Sequence, residues 1–439
     1  MRIRIPLAAA AAGLTLAVTA TACGGSDSSD TPSAATGIAG PGTGTGKTIT
    51  VWYMEGDLTD DTVTGINTAF EKATGAKVKV EIQQWDGINT KLSTTLAQDN
   101  PPDVIDMGNS NVPLFAASGG LVDITAYKQE LSAGQTWLDG LAGPATIGGK
   151  LYGAPLFAGN RAVVYNKKIW SAAGVTAPPK SYEEFTAALD KIKAKNKAPD
   201  FSAFYLPAKD WHQPLQFLWD AGGQIATQSD GKWAGALESP EAIKGLQDFK
   251  DFQNAYSVPA SQDTDNLTPN SAALFASGKA ASILTTSVGP ILKANPALKD
   301  ELGTFPLPGK SGKAQPVFLG GSDLVIPAKS KNLGLALAYL KAAASPEVQK
   351  QFVVGVDGWT PVSTELIDQT AGSISPLQQG FAQAAKISMS TPAAPGWSTI
   401  EGDKSLSQFF ADIATGRKTP RDAAEDFDAH LDRVLNAAP

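Results

Sequence analysis

The pattern of apolar and polar positions changes its period several times between residues 47 and 107. Strict alternation or short apolar runs predict three strands, Thr48–Met54, Lys77–Gln83 and Val104–Met107. Apolar residues at helical spacing predict two helices between them, Thr62–Thr74 and Ile88–Gln98. Gly75 follows the first helix as a stop signal. Strands that alternate with helices in this order predict an α/β fold with a parallel sheet.

Helix start signals continue this pattern through the rest of the chain. Ser181 and Glu184 form a capping box at the start of a helix over Tyr182–Lys195. A serine followed by proline and an acidic residue marks two more helix starts, at Ser239 and Ser345. Further predicted elements are a strand over Leu319–Pro327 and helices over Leu333–Ala344 and Arg421–Leu435.

One stretch, Leu151–Lys168, fits neither a single strand nor a helix. It consists of two apolar extended segments with a break at Phe157–Asn160, where Gly159 permits backbone angles that other residues resist. The break is neither an Asn-Gly hairpin turn nor a long loop. We therefore expect the chain to pass from one lobe to another here, with a ligand beside the crossing and Asn160 facing it.

The N-terminus has the pattern of a secretory signal. Arg2 and Arg4 precede an apolar run over Ile5–Ala20 and the small residues before Cys23. This resembles a bacterial lipoprotein signal with Cys23 as the lipidated residue, although Ala20 stands where such signals usually carry leucine. The small and polar residues that follow predict a flexible tether up to Gly46.

Charge and composition narrow the classes of function. A net charge of −7 without a basic tract argues against a nucleic-acid partner. Gly320-Gly321-Ser322 lacks the last glycine of a serine-hydrolase elbow, and the two histidines are too far apart in sequence to suggest a zinc site. Asp263–Asn266 resembles a calcium loop, but Leu267 stands where a ligand is required. We expect a protein that is not an enzyme, with no catalytic residue, metal or cofactor.

Tryptophan is the residue type that points to a ligand. Four of the nine tryptophans lie in turn-like contexts, namely Trp85, Trp211, Trp359 and Trp397. Sugars present C–H faces that pack on flat aromatic rings, while their hydroxyl groups need amides and carboxylates. For each of these four, packing in the core is about as good an interpretation as stacking on a ligand. We assign Trp52, Trp170, Trp219 and Trp233 to packing.

Several segments together carry a family resemblance: Ile49–Trp52, Phe70–Gly75, Pro102–Asp106, Tyr152–Pro155, Val164–Lys167 and Gly320–Pro327. They resemble the extracellular solute-binding proteins (family 1) of bacterial ABC sugar importers, the group that includes maltose-binding protein. The resemblance implies a periplasmic-binding-protein-like fold, with two discontinuous α/β lobes joined by a hinge and a ligand cleft between them. The expected division is a signal peptide over 1–22, a tether over 23–46, lobe 1 over 47–158 and 283–327, and lobe 2 over 159–282 and 328–439.

The resemblance also implies ligand-binding residues. The loop after the first strand usually contacts sugar hydroxyl groups in this family, which points to Glu55 and Asp57. Trp397 matches a loop that carries a stacking aromatic residue. The other implied contacts are Trp85, Asn109, Asn160, Asp210, Trp211, His212, Ser322 and Trp359, with Arg161 as a weaker candidate.

The function that the resemblance implies is capture of an oligosaccharide and its delivery to a membrane permease. Gln83–Ile88 and Asp106–Asn109 look most like actinobacterial binders of β-linked disaccharides, notably chitobiose and N-acetylglucosamine. Maltose-, cellobiose- and xylobiose-type binders share the scaffold, and glycerol-phosphate or polyamine ligands remain alternatives. A secreted glycoside hydrolase and a surface adhesin are rival classes. We expect a lipid-anchored monomer on the extracellular face of the cell membrane.

Overall fold

The computed structural model describes residues 37–437 of the chain. The predicted signal peptide, Cys23 and residues 23–36 of the predicted tether lie outside the described residues. No helix within residues 37–437 has the length and apolar character needed to cross a membrane.

The strands are β1 (Thr48–Met54), β2 (Lys77–Gln83), β3 (Val104–Gly108), β4 (Thr146–Ile147), β5 (Lys150–Leu151), β6 (Gly153–Asn160), β7 (Ala162–Asn166), β8 (Ala226–Ser229), β9 (Lys232–Gly235), β10 (Ser282–Thr285), β11 (Leu302–Phe305), β12 (Val317–Val325) and β13 (Ser388–Met389). The helices are α1 (Asp60–Thr74), α2 (Ile88–Ala97), α3 (Val112–Ala117), α4 (Lys128–Leu131), α5 (Asp139–Ala142), α6 (Lys167–Ala172), α7 (Tyr182–Lys195), α8 (Pro214–Asp220), α9 (Pro240–Tyr256), α10 (Ser271–Ala276), α11 (Gly289–Ala294), α12 (Leu333–Ala344), α13 (Pro346–Val348), α14 (Thr364–Thr370), α15 (Pro376–Ala385), α16 (Trp397–Gly402), α17 (Ser405–Thr415) and α18 (Pro420–Val434).

Most of the sequence signals for local structure are confirmed, although the capping box predicted at Ser181 is only half formed, because Glu184 Oε2 accepts from the Lys180 N–H at 2.8 Å. Thr59 caps α1 through its side chain, and Gly75 ends the helix in the left-handed conformation with a φ of 76°. Ser181 and Ser239 accept hydrogen bonds from backbone N–H groups in the first turns of α7 and α9. After α13 the chain continues as a π-helical turn over Gln349–Val354.

A mixed sheet forms the centre of the first lobe. β1 pairs in parallel with both β2 and β3, as the alternation of strands and helices predicts. The order β13-β12-β3-β1-β2 is extended by β6, which pairs with β12. Because β12 runs antiparallel to both β3 and β6, β6 runs in the same direction as β3. The carboxyl ends of β1, β2, β3 and β6 therefore meet at one edge of the sheet.

The second lobe is built on a smaller antiparallel sheet. β7 lies at its centre, between β10 and β11. A segment around Tyr205 forms a bridge with Ile283 and runs parallel to β10. Aromatic residues fill the adjoining core; for example, Phe185 packs against Phe204 and Phe252 with ring centroids 5.8 Å apart in both pairs.

The structure divides the lobes differently from the predicted ranges. Residues 283–307, predicted in lobe 1, pack in the second lobe, because β10 and β11 both pair with β7. Leu335–Ile367, predicted in lobe 2, belong to the core of the first lobe, where Tyr339 of α12 packs edge-on against Phe70 of α1. Ala394–Leu435 pack in the core of the second lobe.

Two further predictions about the chain path are corrected. The break between lobes lies at Arg161 rather than across Phe157–Asn160, because β6 stays paired with β12 as far as the pair Asn160 and Leu319. Residues 37–46 are not a free tether, since the Ala39 N–H donates to the Gly334 carbonyl at 3.0 Å. Gly44 fits closely there; an added Cβ would lie 2.6 Å from the Cβ of Ala76.

Candidate functional site

Polar and aromatic residues follow the carboxyl ends of the first-lobe strands. Glu55 and Asp57 come after β1, Trp85 comes after β2, and Asn109 comes directly after β3. In open α/β sheets, ligands bind outside the carboxyl ends of the strands. This edge faces the second lobe, because β6 ends there and leads into β7. The structure therefore brings four predicted site residues to the boundary between the lobes.

Asp57 is the centre of the hydrogen bonds at this edge. Its Oδ1 accepts from Trp85 Nε1 at 3.2 Å, its Oδ2 accepts from Ser322 Oγ at 3.2 Å, and its carbonyl accepts from Trp359 Nε1 at 2.8 Å. Burial raises the pKa of the Asp57 carboxyl, although the hydrogen bonds from Trp85 and Ser322 oppose that shift. Residues far apart in the sequence thus hold one carboxyl group in a fixed orientation. We call Asp57, Trp85, Ser322 and Trp359 the Asp57 cluster.

The facing edge of the second lobe carries a buried charged group. Arg161 Nη2 donates to both carboxylate oxygens of Asp210 at 3.1 Å, and the Asp210 side chain is only 3% exposed. His212 Nδ1 lies 2.8 Å from Asp210 Oδ1, and Gln213 Nε2 donates to Oδ2 at 2.8 Å. Burial alone would raise the pKa of Asp210, but the Arg161 charge and these hydrogen bonds hold that pKa well below its usual range.

The charge of Arg161 also affects the neighbouring imidazole. Burial and then the Arg161 charge lower the pKa of His212, although Asp210 opposes the shift. The His212 ring stacks on Trp211 with centroids 3.8 Å apart and remains 28% exposed. Arg161, Asp210 and His212 therefore form one coupled group in which Arg161 and Asp210 carry the charges.

A cavity of about 500 Å³ lies beside the crossing. Its first-lobe wall includes Gly159 and Trp359, and its second-lobe wall includes Thr286–Gly289 directly after β10. Helix α15 closes one side with Leu377, Gln378 and Phe381. This volume lies in the range of small-molecule sites, and an aromatic wall with a few polar groups suits a ligand with both apolar and hydroxyl-bearing faces.

Comparison with known proteins adds a sequence relationship to this geometry. The profile of the family described as "Bacterial extracellular solute-binding protein" matches residues 56–350. The chain is 34% identical over 392 residues to the diacetylchitobiose binding protein DasA of Streptomyces coelicolor, which covers 89% of this chain and 90% of that relative. This chain belongs to the bacterial extracellular solute-binding proteins.

One solved structure has the same fold, and a more distant relative also matches most of the chain. The sugar-binding protein MalE from Xanthomonas citri superposes with a TM-score of 0.78 at 23% identity, covering 89% of this chain and 97% of that one. The maltotriose-binding protein of Pyrococcus abyssi is 25% identical over 332 residues, or 74% of this chain and 69% of that protein. This superposition confirms the two-lobed α/β architecture predicted from the sequence. The family consists of binding proteins, which confirms the prediction that this protein is not an enzyme.

In this solute-binding protein, two predicted contact residues instead hold the structure together. Asn160 Nδ2 donates to the Phe381 carbonyl at 2.9 Å, and its Oδ1 accepts from Thr360 Oγ1 at 3.1 Å. Asn109 Nδ2 donates to the carbonyls of Gly140 and Leu319 at 3.1 and 3.0 Å. Both side chains are buried, so Asn160 ties the crossing to α15 instead of facing a ligand, which corrects the prediction.

Trp397 also differs from its predicted role. It is 0% exposed and packs in the second-lobe core, edge-on to Trp211 with centroids 6.2 Å apart. Its Nε1 donates to Glu401 Oε1 at 2.9 Å. The ring has no free face for a sugar, because core residues surround it. Glu55, in contrast, is exposed, and its backbone N–H donates to the Gln83 carbonyl at 2.8 Å.

The sequence interpretation missed other residues at the boundary between lobes. Thr286–Gly289 line the cavity, and their position just after an apolar strand was the available signal. Ser110 interacts with the Glu401 carboxyl across the lobes, and burial raises the pKa of Glu401. Nothing in the local sequence marks this pair, because its members lie in different lobes. Among residues 37–437, no group of three or more histidine, cysteine, aspartate or glutamate side chains is arranged to hold a metal ion.

Proposed function

We propose that this solute-binding protein captures a β-linked disaccharide, with diacetylchitobiose as the first candidate, in the cavity between its lobes. The observation that carries the proposal is the 34% identity to a diacetylchitobiose binding protein over 89% of the chain. The cavity supports it, since the Trp359 ring offers a flat apolar wall while Ser287 and Gln378 offer hydrogen-bonding groups. A disaccharide presents both kinds of surface.

Transport follows from the proposed binding. Ligand contacts from both lobes favour the closed arrangement, so that binding shifts a hinge equilibrium at the crossings. The closed, loaded protein then presents the sugar to permease subunits of an ABC transporter. The proposed monomer is held on the extracellular face of the cell membrane by lipid on Cys23.

Titration calorimetry with a panel of disaccharides tests the ligand class. The panel contains diacetylchitobiose, cellobiose, xylobiose and maltose, with N-acetylglucosamine as the single-ring control. Diacetylchitobiose is expected to bind most tightly and to raise the melting temperature, because a ligand that binds only the folded state stabilises it. Tighter binding of another sugar would change the proposed substrate, and binding of none would refute sugar capture.

Trp359→Ala is expected to weaken binding of the preferred sugar about tenfold, which corresponds to about 1.4 kcal/mol. The variant removes the aromatic wall of the cavity and the hydrogen bond to the Asp57 carbonyl. Trp359→Phe retains a ring and should lose less. Trp233→Ala is the matched control, because this half-buried tryptophan lies in the β8-β9 hairpin outside the cavity lining. Equal sugar affinity for Trp359→Ala and the wild type would show that Trp359 does not contact the ligand.

Cys23→Ala tests the anchor. Without the thiol no lipid is attached, so the protein is expected to move from the membrane fraction to the medium. Stable anchoring to a membrane requires two or more acyl chains, because a single chain binds only weakly. A variant without any acyl chain should therefore be almost absent from the membrane fraction. Immunoblots of the two fractions measure it, and a variant that stays with the membrane would contradict the lipid anchor.

A further inference from the structure

Asp106 is a fully buried acid directly behind the Asp57 cluster. It lies on β3, and its Oδ2 accepts the backbone N–H of Met54 at 3.2 Å. Its Oδ1 has no hydrogen-bond donor among the described residues. The carboxyl group of Asp57 and the hydroxyl group of Ser322 are close enough to interact with the Asp106 carboxyl. A carboxylate oxygen that is buried without a hydrogen bond is costly, so Oδ1 either accepts a hydrogen bond from a neighbouring group or carries a proton itself.

Among residues 37–437, the side chains around Asp106 have no proton left for its Oδ1. The Ser322 hydroxyl group interacts with both carboxyl groups, but it has a single proton, which it donates to Asp57 Oδ2. Tyr339 donates to Asn67 Oδ1 at 2.7 Å, so in the 2.9 Å contact between the two phenol groups Tyr53 donates to Tyr339. Within the described chain, the charged or titratable groups that interact with Asp106 are Asp57, Tyr53 and Tyr339, and none of them is a cation.

Two carboxyl groups that interact without a nearby cation oppose each other's ionisation, and deep burial of one of them adds to that opposition. Burial first, and the Asp57 charge second, raise the pKa of Asp106 well above its usual range. Asp57 is only half-buried and already accepts hydrogen bonds from Trp85 and Ser322. The pair therefore retains one proton, and the proton resides on the more deeply buried Asp106.

We propose that Asp106 is a positioning residue for ligand capture, whose protonated Oδ1 donates to Asp57 and holds the Asp57 carboxylate ready to accept a hydroxyl group of the ligand. This inference rests on the proposed sugar-binding function. A carboxylate has about four lone-pair directions. Trp85, Ser322 and Asp106 use three of them, which leaves one for the sugar.

Because of this shared proton, ligand affinity is expected to fall both at high pH, which we call the alkaline limb, and at low pH, which we call the acid limb. As pH rises and the shared proton leaves for solvent, two adjacent negative charges repel each other, Asp57 shifts and affinity falls. As pH falls, Asp57 itself becomes protonated and no longer offers an anionic acceptor. Because burial raises the pKa of Asp57, this acid limb lies above the usual range for aspartate. The two limbs belong to the pair as a coupled unit.

Asp106→Asn is the decisive variant, because asparagine has the shape of a protonated aspartate and a donor that does not titrate. Its affinity at neutral pH is expected to remain within about twofold of the wild type, while the alkaline limb disappears. Asp106→Ala removes the donor and is expected to bind about tenfold more weakly at every pH. Calorimetry from about pH 4 to about pH 9 measures both effects.

Asp323→Asn is the matched control. Asp323 is another fully buried acid, on β12, and burial alone raises its pKa. Neither of its carboxylate oxygens has a hydrogen-bond partner among residues 37–437. This variant is expected to retain the alkaline limb of binding. An alkaline limb that persists in Asp106→Asn, or equal affinities for Asp106→Asn and Asp106→Ala, would overturn the proposal.

A ligand-free measurement separates this inference from the proposed function. Infrared difference spectra between the wild type and Asp106→Asn, both without ligand, are expected to contain the carbonyl band of one protonated carboxyl group at neutral pH. If that band is present but no sugar binds, the proposed function fails and the shared proton stands. If sugar binds but the band is absent, the shared proton fails and the function stands.

Discussion

Replacing Trp397 by alanine is expected to lower the free energy of unfolding by about 3–5 kcal/mol, the usual cost of removing a fully buried aromatic side chain. The ring has no exposed surface and packs edge-on against Trp211. The variant also removes the indole donor to the half-buried Glu401 carboxyl group. Urea denaturation of the ligand-free protein measures the change.

Trp85→Ala is the control for this effect. Trp85 is 40% exposed, so its removal is expected to change the free energy of unfolding by about 1 kcal/mol or less. The same variant removes a hydrogen bond to Asp57 and should weaken ligand binding. If Trp397→Ala instead kept full stability and lost affinity, the aromatic ring would be a ligand contact, as the family resemblance implies.

Replacing Arg161 by methionine is expected to cost about 3–5 kcal/mol of stability at neutral pH, because it leaves the Asp210 carboxylate buried without its cation. The Arg161 side chain is 12% exposed and contacts both carboxylate oxygens of Asp210. Lys244→Met is the control. It breaks the exposed helical pair Lys244–Asp248, with an expected loss of about 0.5 kcal/mol or less.

The pH dependence of the Arg161 variant provides a second test. In the wild type, the pKa of Asp210 is lower in the folded state than in the unfolded chain. Its stabilising contribution is therefore present above the unfolded pKa of about 3.9 and is lost as pH falls toward the folded value. In Arg161→Met burial dominates and raises the pKa of Asp210, so the stability deficit should be largest at neutral pH and shrink in acid. A deficit that is constant with pH would point to lost packing instead of lost charge pairing.

The members of the Asp57 cluster could be predicted from the sequence, but the role of Asp106 behind them could not. Asp57, Trp85, Ser322 and Trp359 were all expected near the ligand, and the structure joins them by direct hydrogen bonds. Asp106 was used only as a family marker. Its partner Asp57 lies 49 positions earlier, and no local pattern reveals that burial forces the two carboxyl groups to share a proton.

The sequence by itself determined the local elements and the class of fold. The periods of β1, β2 and α1, the glycine after α1 and the serine caps of α7 and α9 all depend on interactions within a few residues, which the sequence displays directly. Only the tertiary structure decided that Leu335–Ile367 belong to the first lobe, that Trp397 is core and that Asn160 binds α15. These outcomes depend on partners distant in the chain, since a tryptophan or an asparagine has the same local pattern whether its neighbour is a ligand or another part of the protein.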